Sequence, residues 1–234
     1  SPAMSSTPPL AVWENCDLIG HDYGLRPPKP VLDGEPIYED TPDAIWIVRN
    51  VDRPRAGASA VRRKAWWSVF AGACGHTYGH NDVWGFYVPK APGRVQRLPE
   101  GPGSRGLWKD SLDAPGALQM KHLRALIESR PWLDNRPDLS LLASPAGKGL
   151  ERMGVLRGEG RVLVYSPLGM DFSVHMDRLG WSAVEGWWHD PRTGRRTHVG
   201  RLQARGVHRF DPPGEPGEGN DWGLELVRGE AGTR

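Results

Sequence analysis

The 234-residue chain has two cysteines, no apolar run long enough to span a membrane and almost no net charge, and each shortage removes a class of function. Cys16 and Cys74 lie far apart and outside any Cys-x-x-Cys spacing, so neither a disulfide framework nor a thiol redox or zinc centre is indicated. Two free, partly buried thiols are expected. A membrane-spanning helix needs roughly 18 or more consecutive apolar residues, and no stretch comes close. The N-terminus lacks the charged-then-apolar layout of a signal peptide, and positions 1–9 read as a linker or as the edge of a longer protein. Thirty Lys and Arg against 28 Asp and Glu leave a formal charge of +2. That balance gives no basic field for nucleic acid and no acidic tail for a basic partner. An uncharged or small partner is expected, with no nucleic acid, no membrane and no cofactor.

Glycine, proline and tryptophan are abundant instead, at 30, 22 and 11 residues. So many Gly and Pro exclude a helical bundle and mark the turns of a loop-rich α/β or all-β protein. A hydrophobic content of 38% suffices for a packed core. Leu10, Val12, Trp13, Leu18 and Ile19 outline a weak helix, after which Pro27, Pro28 and Pro30 force an extended chain into Val31 and Leu32. A second helix carries Val61, Ala65, Trp66, Val69 and Phe70 on one side and a solvated face of Arg62, Arg63 and Lys64 on the other. A strand over 71–75 should follow, with 76–81 at its mouth. After a long Gly- and Pro-rich loop over 90–112, Pro115 opens a helix with Leu118, Met120, Leu123, Leu126 and Ile127, which stops before Pro131.

Beyond about residue 136 the pattern changes to short strands, expected at 161–165, 172–175, 183–189, 197–202, 206–210 and 222–227. A hairpin loop is expected at 190–194. The adjacent Trp187 and Trp188 should split, one inward and one outward, because strand side chains alternate. The fold class read from this order is α/β plus all-β: residues 1–135 as the C-terminal portion of a (β/α)8 barrel, with about two of the eight strands, and residues 136–234 as a small antiparallel β-sandwich.

Two segments carry chemistry. KPVLDGEPIYED (29–40) reads as a short strand that delivers Glu35 at its end, with Gly34 permitting close backbone approach and Pro36 ending the ladder. Taken alone, Glu35 reads equally as a carboxylate of a solvated loop or a helix cap. The second segment, FAGACGHTYGHN (70–81), brings His76, Tyr78 and His80, which in an extended chain share one side and suit a polyhydroxylated ligand. Histidines satisfied by local backbone are the alternative. A zinc site fits less well, since Gly75 and Gly79 oppose a helix and no Glu follows His76, so no metal is expected. Tyr38, Trp46, Trp84 and Trp108 are candidates for stacking on a sugar ring, whereas Trp66 and Trp67 read as core. The match to GxGxxG at 101–106 is interrupted by proline and has neither strand before it nor helix after it, so it binds no dinucleotide.

KPVLDGEPIYED, AWWSVFAGACGHTYGHNDVW, PGALQMKHLRALIESRPW and PDLSLL, in that order, resemble the C-terminal third of the catalytic barrel of apiosidase-like glycoside hydrolases. VLVYSP, GWWHDPRTG, FDPPG and GNDWGLEL resemble the small β-sandwich, labelled collagen-binding, that closes those proteins. The resemblance implies a retaining glycosidase acting on a plant-type polysaccharide side chain, with two carboxylates about 5 to 5.5 Å apart. Glu35 matches the family's nucleophile position at the end of the seventh strand. The acid/base of the family lies on an earlier strand, so the chain is expected to need the N-terminal part of the barrel as its partner and to be inactive alone. Asp33, Glu39 and Asp82 are poor substitutes for it. A periplasmic or secreted location is implied by the resemblance alone. The alternative is a carbohydrate- or matrix-binding sandwich with a barrel stub, and a third reading makes the sandwich a structural cap.

Overall fold

The computed structural model describes residues 14–42, 52–88 and 103–229. Leu10, Val12, Trp13 and Trp46, the start of the 90–112 loop and positions 101–102 lie outside them. Helix α1 (Asn15–Gly24) opens with the Asp17 carboxylate accepting the Glu14 N–H at 3.3 Å and stops ahead of the prolines. Strand β1 (Leu32–Asp33) and strand β2 (Tyr38–Glu39) follow, then helix α2 (Ala58–Phe70). The expected strand at 71–75 begins later, as β3 (Gly75–His76), because the helix first unwinds through Ala71 and Gly72. Gly72 has φ +107°, and a Cβ there would meet the Tyr23 ring at 2.5 Å, so only glycine fits. β4 (Gly79–His80) leads into a one-turn helix α3 (Asn81–Trp84).

These four strands pair in parallel, β1 with β3 and β2 with β4. Asp33 is opposite His76 and Tyr38 is opposite Gly79, so residues 34–37 span the same gap as residues 77–78. The segment holding Glu35 is therefore the longer of the two and bows away from its neighbour. Helix α4 (Pro115–Glu128) starts with proline in its first turn, where no N–H is lost to the helix, and buries Leu123, Leu126 and Ile127.

From β5 (Arg136–Pro137) onward strands dominate the regular structure: β6 (Gly154–Gly158), β7 (Arg161–Ser166), β8 (Phe172–His175), β9 (Ala183–His189), β10 (Arg196–Gln203), β11 (Val207–Phe210) and β12 (Trp222–Arg228). Six of them form an antiparallel sheet in the order β10-β9-β12-β7-β6-β5, and β8 pairs with β11 separately. Every residue of β7 is buried, which follows from covering both faces of a central strand. Alternation sends Val155, Val162, Val164, Leu224 and Leu226 to one face, where they pack with Phe172, Val174 and Phe210 of the β8-β11 pair. Leu156, Leu163 and Tyr165 go to the other and pack with Trp66, Trp67, Phe70, Leu123 and Leu126 of the helices. Trp188 is buried in the first of these cores, while Trp187 is half-buried on the opposite face. The 190–194 loop closes with the Gly194 N–H donating to the Asp190 carbonyl at 2.8 Å.

The face expected to be solvated on α2 is not. Arg62 is 2% and Arg63 8% exposed. Arg62 Nε donates to Asp221 Oδ2 at 2.9 Å, the Tyr165 hydroxyl donates to the same oxygen at 3.1 Å, and Arg63 pairs with Glu218 at 3.1 Å. Lys64 pairs with Glu14. The helix is covered on the side that its charges occupy, and Asp221 and Glu218 compensate them. From the sheet, Arg161 Nη1 donates to the Leu126 carbonyl at 3.1 Å and its Nη2 to the Ile127 carbonyl at 3.3 Å, closing the C-terminal end of α4. Cys16 and Cys74 are free, the first buried and the second exposed. Burial, with Asp17 adding to it, pushes the Cys16 thiol up to about 11. Among the described residues no helix is long and apolar enough to cross a membrane.

Candidate active site

Glu35 sits two residues past the end of β1 and is exposed. The Tyr38 hydroxyl donates to its Oε1 at 2.6 Å. That bond to a carboxylate, with some burial, pushes the Tyr38 phenol up to about 12, so it remains a donor at neutral pH. The Tyr38 ring lies over Gly79, where a Cβ would meet it at 2.5 Å, and its centroid is 6.4 Å from that of Trp84. Glycine at 79 thus lets β4 approach closely enough for the tyrosine to reach across it. Trp84 is 48% exposed, which leaves an indole surface beside the Tyr38 ring. Glu35, Tyr38 and Trp84 form one cluster at the ends of parallel strands.

The other three residues singled out from the sequence have different partners. The Tyr78 hydroxyl donates to Glu39 Oε2 at 2.7 Å. Glu39, buried, also accepts the Gly116 N–H at 3.2 Å in the first turn of α4, where the helix dipole favours a negative charge. Burial and then the Glu39 hydrogen bond raise the Tyr78 phenol far above its usual range. His80 Nδ1 accepts the Asp82 N–H at 3.1 Å and caps α3. His76 is opposite Asp33, and burial lowers its pKa despite that charge, so it is neutral at pH 7. Asp33 in turn accepts from Asn15 Nδ2 at 2.9 Å and from the Ser68 hydroxyl at 2.6 Å, which ties β1 to α1 and α2. Tyr78, through Glu39, and His80 therefore tie the strand ends to α4 and α3; none of these hydrogen bonds reaches Glu35.

Asp82, considered in the sequence only as a poor substitute for the acid/base, is 3% exposed and accepts the Arg105 and Gly106 N–H groups at 2.8 and 3.0 Å. It pins the loop that returns past the cluster. Trp108 packs edge-on against Phe86 at 5.6 Å. Among the described residues no three His, Cys, Asp or Glu side chains converge as metal ligands.

A family model described as "Apiosidase-like, catalytic domain" matches residues 11–134, more than half of the sequence. The chain belongs to the apiosidase-like family. A second model, "Putative collagen-binding domain of a collagenase", matches residues 136–227. Among solved structures, this apiosidase-like chain is similar to one titled "Glycoside hydrolase", with 32% identity, TM-score 0.84, and coverage of 94% of this chain and 47% of that one. A glycoside hydrolase family 5 protein from Bacteroides vulgatus is 31% identical at TM-score 0.83, over 92% of this chain and 45% of that one. The apiosidase-like chain therefore spans about half the length of these solved relatives. None of the curated proteins matches it.

Within this apiosidase-like chain, the contrast among carboxylates is the signal that sequence reasoning lacked. Asp33, Glu39 and Asp82 each accept hydrogen bonds from other elements, whereas Glu35 accepts one from a residue three positions away and faces solvent. Such differences depend on partners distant in sequence. Gly79, Gly106 and Gly116 hint at them, since these glycines make room for the side chains of Tyr38, Asp82 and Glu39.

Proposed function

We propose that this chain is the C-terminal part of the catalytic barrel of a retaining glycoside hydrolase, followed from about residue 136 by a β-sandwich, and that Glu35 is the nucleophile. The observation that carries the reading is the exposed Glu35 carboxylate at a parallel strand end with the Tyr38 hydroxyl 2.6 Å from it. In a (β/α)8 barrel the C-terminal strand ends are where reacting groups stand. The carboxylate attacks the anomeric carbon, the bond from that carbon to the leaving oxygen breaks, and the leaving oxygen takes a proton from the acid/base carboxylate of an earlier strand. Water then attacks the glycosyl ester as the same acid/base accepts its proton, and Glu35 leaves as carboxylate. The Tyr38 hydrogen bond keeps one oxygen of Glu35 oriented and directs the other at the sugar. Trp84 supplies the stacking surface, and Tyr78 and His80 support the strand ends from behind.

The substrate class in this reading is a plant-type polysaccharide side chain, following the family. The chain spans about half of its solved relatives, so activity is expected only with the preceding barrel strands present. Glu35→Gln in the protein carrying the whole barrel is expected to abolish turnover of a nitrophenyl glycoside without changing the melting temperature. Turnover retained at the wild-type rate would exclude Glu35 as nucleophile.

A further inference from the structure

At the C-terminal end of α4 the helix and the sheet do not close on each other. A cavity of about 520 Å³ lies between the helix, the end of β9, the start of β10, the middle of β12 and the 190–194 loop. Trp66 and Leu126 give it apolar wall, and His122, Arg130, His189, Arg196 and Glu225 give it polar wall. Small-molecule sites have this size and this mixture, at roughly 300–1,000 Å³ with a few convergent polar groups.

The charges in the wall are unbalanced. Glu225, 3% exposed, has His189 Nε2 at 2.9 Å, Arg196 Nη2 at 2.9 Å, and Arg161 and Arg130 at 3.8 and 3.9 Å. One carboxylate thus faces three guanidinium groups. The other acid of the wall, Asp190, is held by Arg192 at 2.6 Å. Arg161 directs its N–H groups to the end of α4. Arg196 lies over the Trp187 ring at 3.7 Å, so its plane is fixed, and Arg130 stays beyond hydrogen-bond reach of Glu225. A second carboxylate is the group that such a pair of guanidiniums accommodates, in paired N–H···O bonds.

We propose that this cavity binds a carboxylate-bearing polyol about the size of one sugar-acid residue, with its carboxylate between Arg130 and Arg196 and its hydroxyls against His122 and His189. The chemistry is shared by a free sugar acid and by the uronate end of a glycan. The site does not depend on the role of Glu35.

The test is calorimetric titration of the 234-residue chain with sodium glucuronate at constant ionic strength, beside glucose, acetate and an oligouronide. Glucuronate is expected to saturate in the millimolar range, glucose not at all, and acetate at least about tenfold more weakly. Arg130→Ala removes a half-exposed side chain that caps no other group, and it is expected to weaken glucuronate at least about tenfold, the effect of losing one charged hydrogen-bonding partner, with the melting temperature unchanged. Tighter binding of the oligouronide assigns the site to a glycan end, and equal binding assigns it to the free acid. Arg196→Ala also deprives Glu225 of a partner, so Arg130→Ala carries the test. Absence of saturation by glucuronate, equal heats from glucose, or undiminished binding in Arg130→Ala would overturn the proposal.

Discussion

Glu35 stands exposed after a two-residue strand and meets one donor, Tyr38, whereas Glu225 is enclosed in a seven-residue strand and ringed by His189 and three arginines. The two regions treat the same group in opposite ways. A carboxylate taken out of water loses several kcal/mol of hydration unless cations and donors replace it, so Glu225 is committed to its neighbours. One left in water loses little and keeps an oxygen free for a reacting partner. Burial therefore separates the carboxylate that holds the fold from the one available for chemistry.

The comparison can be broken at its strongest point in the buried region. Asp221→Ala leaves Arg62 enclosed without its counter-charge and removes the acceptor of the Tyr165 hydroxyl. A loss of about 3–5 kcal/mol is expected in denaturant unfolding. Glu218→Ala, which removes a partner 56% exposed, is expected to cost under about 1 kcal/mol. Equal losses from the two would mean that burial does not set the difference. At the strand-end cluster, Tyr38→Phe removes only a hydrogen bond to a carboxylate. In the longer glycosidase proposed above, kcat/KM is expected to fall about 10- to 100-fold with little change in stability. An unchanged kcat/KM would detach Tyr38 from the role of Glu35.

The smallest effect concerns acid. Burial opposes the charge on Glu225, but the His189 hydrogen bond and the charges of His189, Arg196 and Arg161 outweigh it and hold its pKa below the usual carboxylate range. A depressed folded pKa contributes stability that is complete above the unfolded value near about 4.3 and is lost as pH falls through the folded one. Melting temperatures are therefore expected to hold steady above about pH 5 and to drop more steeply below pH 4 in the wild type than in Glu225→Gln. Parallel curves would remove Glu225 from the acid response.

The strands at 161–165, 172–175 and 183–189 were legible because alternating apolar residues and turn signals are local. β6 escaped, since GVLRG (154–158) is short and bounded by glycines that read as turns. Arg62 and Arg63 read as solvated because the partner that buries Arg62 is 159 residues away. His76, Tyr78 and His80 read as one face of an extended strand, yet pairing stops at 77–78 and each acquires its own neighbour. Glu35 is singled out in the sequence by Gly34 and Pro36, which bracket it, and its exposed position after β1 follows from that local signal alone.

The arginine that closes α4 comes from a strand beyond residue 136, and the helix it closes lies before that point. A cut near residue 136 would strand the last carbonyls of α4 without donors and open the Trp66, Leu163 and Tyr165 cluster to water. The helices and the sheet on either side of residue 136 thus share buried surface, and their unfolding is expected as one transition.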